Sequence, residues 1–213
     1  MAYSTQLTAA LTGATESQLR YWRLPHDGKE PLLAPEYGSR PAAAYSYRDV
    51  VALRMFTRLR ERVSLQKIRK AVAYLEEHLP GKHLSEQQLA AVPGGRSIVW
   101  ISDEGDYFDV VERPGQAGIE VIMDEIFREF RTERGQEVPD LTRPAKGLTI
   151  DPDVRGGIPV AEGTRVTYNT LSGLTRDGLS VDQVRALYPW VSPESVAGAT
   201  EFAQRVEMLS KTA

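Results

Sequence analysis

The chain of 213 residues contains no cysteine, so disulfide bonds, thiolate metal sites and thiol nucleophiles are excluded. Three histidines are its only other soft metal ligands. Two of them, His78 and His83, flank Pro80 and Gly81, an arrangement more typical of a helix terminus than of a ligand pair. We therefore expect no metal site and no cofactor.

Long apolar runs are absent as well. No segment approaches the roughly 18–20 apolar residues that a membrane-spanning helix needs. The first residues also lack the basic stretch followed by an apolar one that marks a secretory signal. We expect the protein to remain in the cytoplasm, with no membrane partner.

A strong net charge is missing too, because the formal value is only -3 at pH 7. The charges are unevenly distributed, since residues 1–80 carry 12 Lys and Arg against 8 Asp and Glu and the remainder is net acidic. Binding to phosphates requires a local basic face and not a basic protein, because counterion release depends on the charges at the contact. Only the first third of the chain supplies such a face.

The length and the Pro and Gly clusters indicate several small domains. Two or three domains are typical of a chain of 213 residues. The polar stretch 135–147 contains Pro139 and Pro144 and separates strongly periodic segments, so it is the best linker candidate. We predict domains at residues 1–83, 84–147 and 148–213, in a fold that is mainly α with small β elements.

Two short helices joined by a tight turn are predicted at the N-terminus. An apolar stripe from Leu7 to Leu11 ends at Gly13, and Thr15 and Gln18 have the spacing of a capping box. In the second helix Leu19 and Trp22 would face the first. The side chains left pointing outward are Ser17, Gln18, Arg20, Tyr21 and Arg23.

This pattern has two interpretations. Polar groups near the N-terminus of a helix that fits the major groove are what base reading requires. An ordinary helical hairpin with a solvated polar face has the same pattern.

Periodicity and caps predict the remaining elements. Residues 32–47 suit a short hairpin or wing, and Ser46 and Ser64 can cap a third and a fourth helix. Strands are expected at 97–102 and 107–112. An amphipathic helix follows, with apolar residues Ile119, Ile122, Met123, Ile126, Phe127 and Phe130. In the last domain we expect short extended pieces around Ile150 and Val160 and helices at 168–176, 180–188 and 192–209.

Four motifs occur in a fixed order along the first domain: QLRYW from Gln18, LLAP from Leu32, YSYRDV from Tyr45 and SLQKI from Ser64. Together they resemble the winged helix-turn-helix of MerR-type transcription regulators. The resemblance implies that DNA contacts Thr15, Ser17, Gln18, Arg20, Tyr21 and Arg23 in the recognition helix and Arg40 in the wing. Arg48 is a further candidate, for a phosphate contact. The insertion at residues 26–30 departs from the family pattern and lengthens the turn before Leu32, so we expect the wing to lie in a different position from the family's. No long heptad helix with cysteine ligands follows, so metal sensing is not expected.

The last 65 or so residues are similar to another family, the small domain of VapB-type antitoxins. The markers are Asp151-Pro152, Gly156-Gly157, Pro159, Gly163-Thr164-Arg165, Gly178-Leu179-Ser180 and Tyr188-Pro189. The resemblance implies a homeodomain-like unit of three helices and a PIN-like ribonuclease toxin as the partner. The prediction is a homodimeric, non-enzymatic antitoxin that represses its own operon by binding operator DNA. Whether this unit binds DNA, dimerises or binds the partner stays open.

The middle segment is the candidate surface for a partner. Its candidate residues are Phe127, Arg128, Arg131 and Arg134, although a helix core and a solvated basic face explain the same pattern. In the alternative function this segment binds a small-molecule effector, and the protein is a MerR-type one-component regulator. A third possibility is an adaptor with no role at DNA.

Overall fold

The computed structural model describes residues 2–25, 28, 30–112 and 126–211. In this part of the chain seven α-helices dominate, and the strands form three small antiparallel sheets. The predicted fold class, mainly α with small β elements, is therefore confirmed. None of the described helices has the length and apolar character needed to cross a membrane.

The first two helices form at capped N-termini, and the second of these caps is the one that the sequence predicts. α1 (Thr5–Thr12) begins after Ser4, whose hydroxyl accepts a backbone N–H of the first turn. α2 (Glu16–Arg23) begins after Thr15, whose Oγ1 accepts from Gln18 N–H at 3.1 Å, while Thr15 N–H donates to Gln18 Oε1 at 2.9 Å. This reciprocal capping box satisfies amide groups that a helix start otherwise leaves unpaired.

The next two helices contribute to the apolar core of the protein. α3 (Tyr47–Arg60) and α4 (Leu65–His78) begin after Ser46 and Ser64, the caps that the sequence predicts. α3 packs against both α1 and α4. The predicted apolar positions that are buried here are Ala52, Met55, Phe56, Leu59, Val63, Ile68, Val72 and Leu75.

The segment before α3 forms a wing-like loop. Its backbone closes through hydrogen bonds from Ala44 N–H to Gly38 O (2.9 Å) and from Tyr37 N–H to Ala44 O (3.2 Å). Tyr45 forms an isolated β-bridge with Tyr3. No regular strand occurs among residues 32–44. The segment therefore forms a loop and not the short hairpin, which was one of the two structures expected from the sequence.

A three-stranded antiparallel sheet follows in the middle segment. Its strands lie in the order β1 (Gln88–Ala91), β2 (Ile98–Ile101) and β3 (Tyr107–Asp109). The predicted strands at 97–102 and 107–112 are confirmed in shortened form, whereas β1 was not predicted. A short 3-10 helix (Leu84–Glu86) precedes β1 and packs on α3.

The predicted helix over residues 119–130 is wrong in its described part. Ile126 and Phe127 lie in a turn, and Phe130 lies in β4 (Phe130–Arg131), which pairs with β5 (Glu137–Val138) as a hairpin. Ile119, Ile122 and Met123 lie outside the described residues. The three-residue spacing of Arg128, Arg131 and Arg134 therefore does not mark a helix face, because Arg131 is in β4 and Arg134 is in the hairpin turn.

A buried arginine of α3 explains this difference. Arg54 is fully buried and donates hydrogen bonds to the carbonyl oxygens of Ile126, Phe127 (3.4 Å) and Arg128 (2.5 Å). Its guanidinium also lies 5.0 Å from the ring centre of Phe130. These contacts satisfy carbonyl groups that a helix would pair internally.

The C-terminal part has the elements that the sequence predicts. β6 (Leu148–Thr149) and β7 (Val160–Ala161) pair antiparallel and are followed by α5 (Tyr168–Arg176), α6 (Val181–Leu187) and α7 (Pro193–Lys211). Ser180 and Gln183 form the predicted capping box of α6. α7 packs against α5 and α6 and also against α1.

The N-terminal segment is in direct contact with the C-terminal part of the chain. Tyr3 is fully buried, and its hydroxyl donates a hydrogen bond to Gly157 O. A Cβ on Gly157 would lie 2.5 Å from Tyr3 Oη and 2.9 Å from Tyr47 Cδ2, so only glycine fits this approach. Most of the buried apolar side chains accordingly form one cluster that extends from Tyr3 to Val206.

Candidate nucleic-acid interface

α2 has one buried and one exposed face. Leu19 and Trp22 are 1% and 2% exposed, and the Trp22 ring packs edge-on against Phe56 with ring centres 6.2 Å apart. On the opposite side Ser17 and Arg20 are exposed. Arg20 makes no hydrogen bond or ion pair with the described residues, so its guanidinium is available to a ligand.

Two other predicted DNA-binding residues already have partners within the protein. Gln18 is half-buried, and its Oε1 is part of the capping box with Thr15. Bidentate reading of adenine needs both amide atoms, so Gln18 would have to give up this cap to do so. Arg23 is half-buried, and its Nη1 donates to Tyr45 Oη at 3.3 Å.

Tyr21 joins α2 to α4. Its side chain is 43% exposed, and the guanidinium of Arg69 lies 5.7 Å from its ring centre. Arg69 also donates from Nη1 to the carbonyl oxygen of Glu30 at 3.0 Å. The exposed face of α2 is thus held at a defined position relative to α4 and the segment that follows α2.

The two arginines predicted outside α2 differ in their surroundings. Arg40 is exposed in the wing-like loop. Arg48, at the start of α3, forms ion pairs with Glu36 (3.6 Å) and with Glu86. A phosphate would have to compete with two carboxylates for Arg48, which makes Arg40 the better candidate of the two.

The β4–β5 hairpin packs against the turn between α1 and α2. Gly13 has φ +75°, and a Cβ there would lie 2.6 Å from Val138 Cγ2 and 2.9 Å from Thr132 Cγ2. Arg134, exposed in the hairpin turn, lines a small cavity of about 100 Å³ together with Gln18. The structure therefore places this predicted partner-binding residue beside α2.

The other three predicted partner-binding residues lie in or just before the hairpin. Phe127 is 40% exposed, and Arg128 is exposed beside it. Arg131 is exposed and forms an ion pair with Glu137 across the hairpin.

A buried carboxylate network beside the wing was not recognised from the sequence. Asp49 is fully buried, and its Oδ2 accepts from Glu36 N–H (2.9 Å) and Ser46 N–H (2.8 Å). His83 Nε2 lies 3.3 Å from Asp49 Oδ1, and ligand-type atoms of Glu36, Asp49 and His83 lie within 4.8 Å of one another. His83 Nδ1 accepts from Ser85 N–H (3.1 Å), which leaves Nε2 to donate to Asp49 Oδ1. These contacts favour a hydrogen-bond network over a metal-ligand set.

One comparison with known proteins concerns the C-terminal part, and another covers most of the chain. Residues 148–203 match the model of a family described as a protein of unknown function, DUF433. The crystal structure of Rv2018 from Mycobacterium tuberculosis is similar, with 15% sequence identity, a TM-score of 0.48 and coverage of 92% of this chain and 95% of that one. No curated protein matches the chain. These comparisons assign no activity.

Proposed function

We propose that the protein is a DNA-binding repressor of its own operon and the antitoxin of a PIN-like ribonuclease. The observation that carries the DNA-binding part is the two-faced α2, with Leu19 and Trp22 buried and Arg20 exposed and unpaired beside Ser17. The proposal includes three units at residues 1–83, 84–147 and 148–213: a winged helix-turn-helix, a small α+β segment and a homeodomain-like domain.

The dimensions of α2 suit the major groove. An α-helix with its side chains is about 10–12 Å in diameter, which matches the roughly 12 Å width of the groove, and the eight residues of α2 extend about 12 Å along it. Arg20 can donate to guanine O6 and N7 in bidentate fashion, and the Ser17 hydroxyl, nearer the N-terminus, can bind a phosphate. In a homodimer two such helices would contact half-sites roughly 34 Å apart.

Replacement of Arg20 tests the DNA-binding part. We expect Arg20→Ala to weaken binding of the full chain to the DNA upstream of its own gene by about 5- to 150-fold, from the loss of about 1–3 kcal/mol per bidentate base contact. Fluorescence anisotropy at fixed salt measures the effect. Arg143→Ala is the matched control, because it removes the same charge from an exposed side chain that pairs with Glu162 at 3.3 Å. Equal affinities of wild type and Arg20→Ala would count against the placement of the recognition helix.

The antitoxin part rests on the resemblance of the C-terminal unit and on exposed groups in the middle segment. A PIN-like nuclease has an acidic, Mg-dependent active site, which an arginine can enter. Arg128 lies beside the exposed Phe127, so these two side chains offer a charge and an apolar contact together. Arg134 lies beside α2, so a toxin held there would also meet the DNA-binding face.

Co-purification tests this part. We expect the tagged full chain to retain the product of the neighbouring gene and to inhibit its Mg-dependent ribonuclease activity. Phe127→Ala with Arg128→Ala should weaken both effects, whereas Arg143→Ala should not. A neighbouring product that is no nuclease, or one that does not bind, would refute the antitoxin part and leave the DNA-binding part standing.

The alternative, a one-component regulator that responds to a small molecule, is favoured by one specific observation. A leucine-lined cavity lies next to the segment that follows α2, although residues 30–34 and 75–87 form it and not the strands and hairpin of the middle segment, where the effector was expected.

A further inference from the structure

A cavity of about 440 Å³ lies between the end of α4, residues 30–34 and the 3-10 helix before β1. Its size falls within the range of about 300–1,000 Å³ that is typical of small-molecule sites. Most of its wall is apolar, and the residues responsible are Pro31, Leu32, Leu33, Leu75, Leu79 and Leu84. An apolar molecule could therefore occupy it with little loss of polar solvation.

Gln87 is a polar side chain of the cavity wall, and its amide nitrogen has no hydrogen-bond acceptor among the described residues. Gln87 is 4% exposed, and its Oε1 accepts a hydrogen bond from Trp100 Nε1 at 2.9 Å. The indole N–H can only donate, so it needs the amide oxygen as its acceptor. Exchanging the positions of Oε1 and Nε2 would therefore break this hydrogen bond. Gln87 Nε2 is buried and has no acceptor among the described residues. An unpaired buried donor costs about 1–3 kcal/mol, so an acceptor at this position would be favourable.

The charges around the cavity indicate which acceptor fits. Glu30 and Glu76 both line it. Burial raises the pKa of Glu76, and the neighbouring Glu30 carboxylate raises it further. Lys82 also lines the cavity, and its ammonium group pairs with Asp103 at 3.4 Å. An anionic ligand would be repelled here, whereas a neutral carbonyl group would not.

We propose that this cavity binds a neutral, mainly apolar small molecule whose carbonyl oxygen accepts a hydrogen bond from Gln87 Nε2. The cavity wall is connected to the recognition helix, because Leu32 N–H (2.8 Å) and Leu33 N–H (3.2 Å) both donate to Trp22 O in the last turn of α2. Occupancy can thereby change the position of α2. The binding itself does not depend on the proposed function.

Hexanamide is a suitable probe, with hexanoate as its charged counterpart. The full chain, labelled with ¹⁵N, is titrated without DNA while the indole N–H signals of its three tryptophans are followed by NMR. We expect the Trp100 signal to shift saturably with a dissociation constant on the order of millimolar for so small a ligand. Trp190, which is 86% exposed, is the internal control and should not shift. Hexanoate should bind at least several-fold more weakly.

Two variants test the hydrogen bond of Gln87 and the apolar contacts of the cavity wall independently. Gln87→Met should weaken hexanamide binding by about two- to tenfold, the range for one hydrogen bond. Leu84→Phe narrows the cavity, keeps the amide and should also weaken binding. Circular dichroism establishes that both variants fold. The absence of a saturable Trp100 shift in the wild type would overturn the proposal, as would equal affinity for hexanoate or unchanged binding in Leu84→Phe.

Discussion

Replacing Arg54 by methionine removes a fully buried guanidinium from the centre of the fold. Burial lowers the pKa of Arg54 to about 10, so the side chain remains charged at neutral pH. It donates to Leu11 O at 2.5 Å near the end of α1 and to Ile126 O before β4. A single side chain therefore holds the first helix, α3 and the segment before the hairpin together.

The loss of stability can be worked out from these carbonyl groups. The bonds to Leu11 O and Ile126 O are buried, so both acceptors would be left without a partner and without water. At about 1–3 kcal/mol for each unsatisfied group, Arg54→Met should lower the free energy of unfolding by about 2–6 kcal/mol. Methionine keeps much of the volume, so cavity formation adds little.

Urea unfolding followed by circular dichroism measures this difference. Arg58→Met is the control, because Arg58 also lies over the Phe130 ring (4.7 Å) but is partly exposed and pairs with Glu61. For an ion pair of this kind we expect a loss of about 1 kcal/mol or less. If Arg54→Met were no less stable than Arg58→Met, the role of Arg54 in holding residues 126–128 would be refuted.

Two further predictions concern the turn before α2 and the C-terminal core. Gly13→Ala should destabilise the protein by about 1–3 kcal/mol more than Gly105→Ala. Both glycines have a positive φ, but only a Cβ at Gly13 would meet neighbouring atoms. Equal urea midpoints for the two variants would argue against close packing of the hairpin on this turn. Burial raises the pKa of Tyr168 to about 12, from the model-peptide value of 10.0. The unfolded chain therefore ionises first, and this residue's contribution to stability, present below pH 10, falls by about 2–3 kcal/mol as the pH rises to 12. The free energy of unfolding of Tyr168→Phe should therefore fall less steeply between pH 10 and 12 than that of the wild type. Parallel curves of unfolding free energy against pH would contradict the effect of burial on the pKa of Tyr168.

The helix starts could be predicted because their causes are local. The caps at Thr15, Ser46, Ser64 and Ser180 all bond to the backbone N–H three residues ahead, so the sequence alone contains both partners. The apolar faces of these helices followed from the same short-range periodicity.

The elements that sequence could not predict depend on distant partners. Residues 126–130 have a helical apolar spacing, yet Arg54, more than 70 positions earlier, binds their carbonyl groups. The strand β1, with the sequence QLAA, has little intrinsic β-propensity and forms by pairing with β2.

At the candidate site, the exposure of Arg20 followed from helical geometry. The ion pairs of Arg48 with Glu36 and Glu86 did not, because they join separate segments of the chain. The same is true of the hydrogen bond between Gln87 and Trp100, which identifies the unpaired amide in the cavity.

The most direct test of base reading by α2 is the ratio of affinities for the operator and for a scrambled duplex of equal length and base composition. We predict that Arg20→Ala lowers this ratio toward one while binding to the scrambled duplex falls far less, because a base contact carries sequence information and a phosphate contact does not. An unchanged ratio, with both affinities reduced equally, would show that Arg20 contacts only the backbone and would contradict the placement of α2 in the major groove.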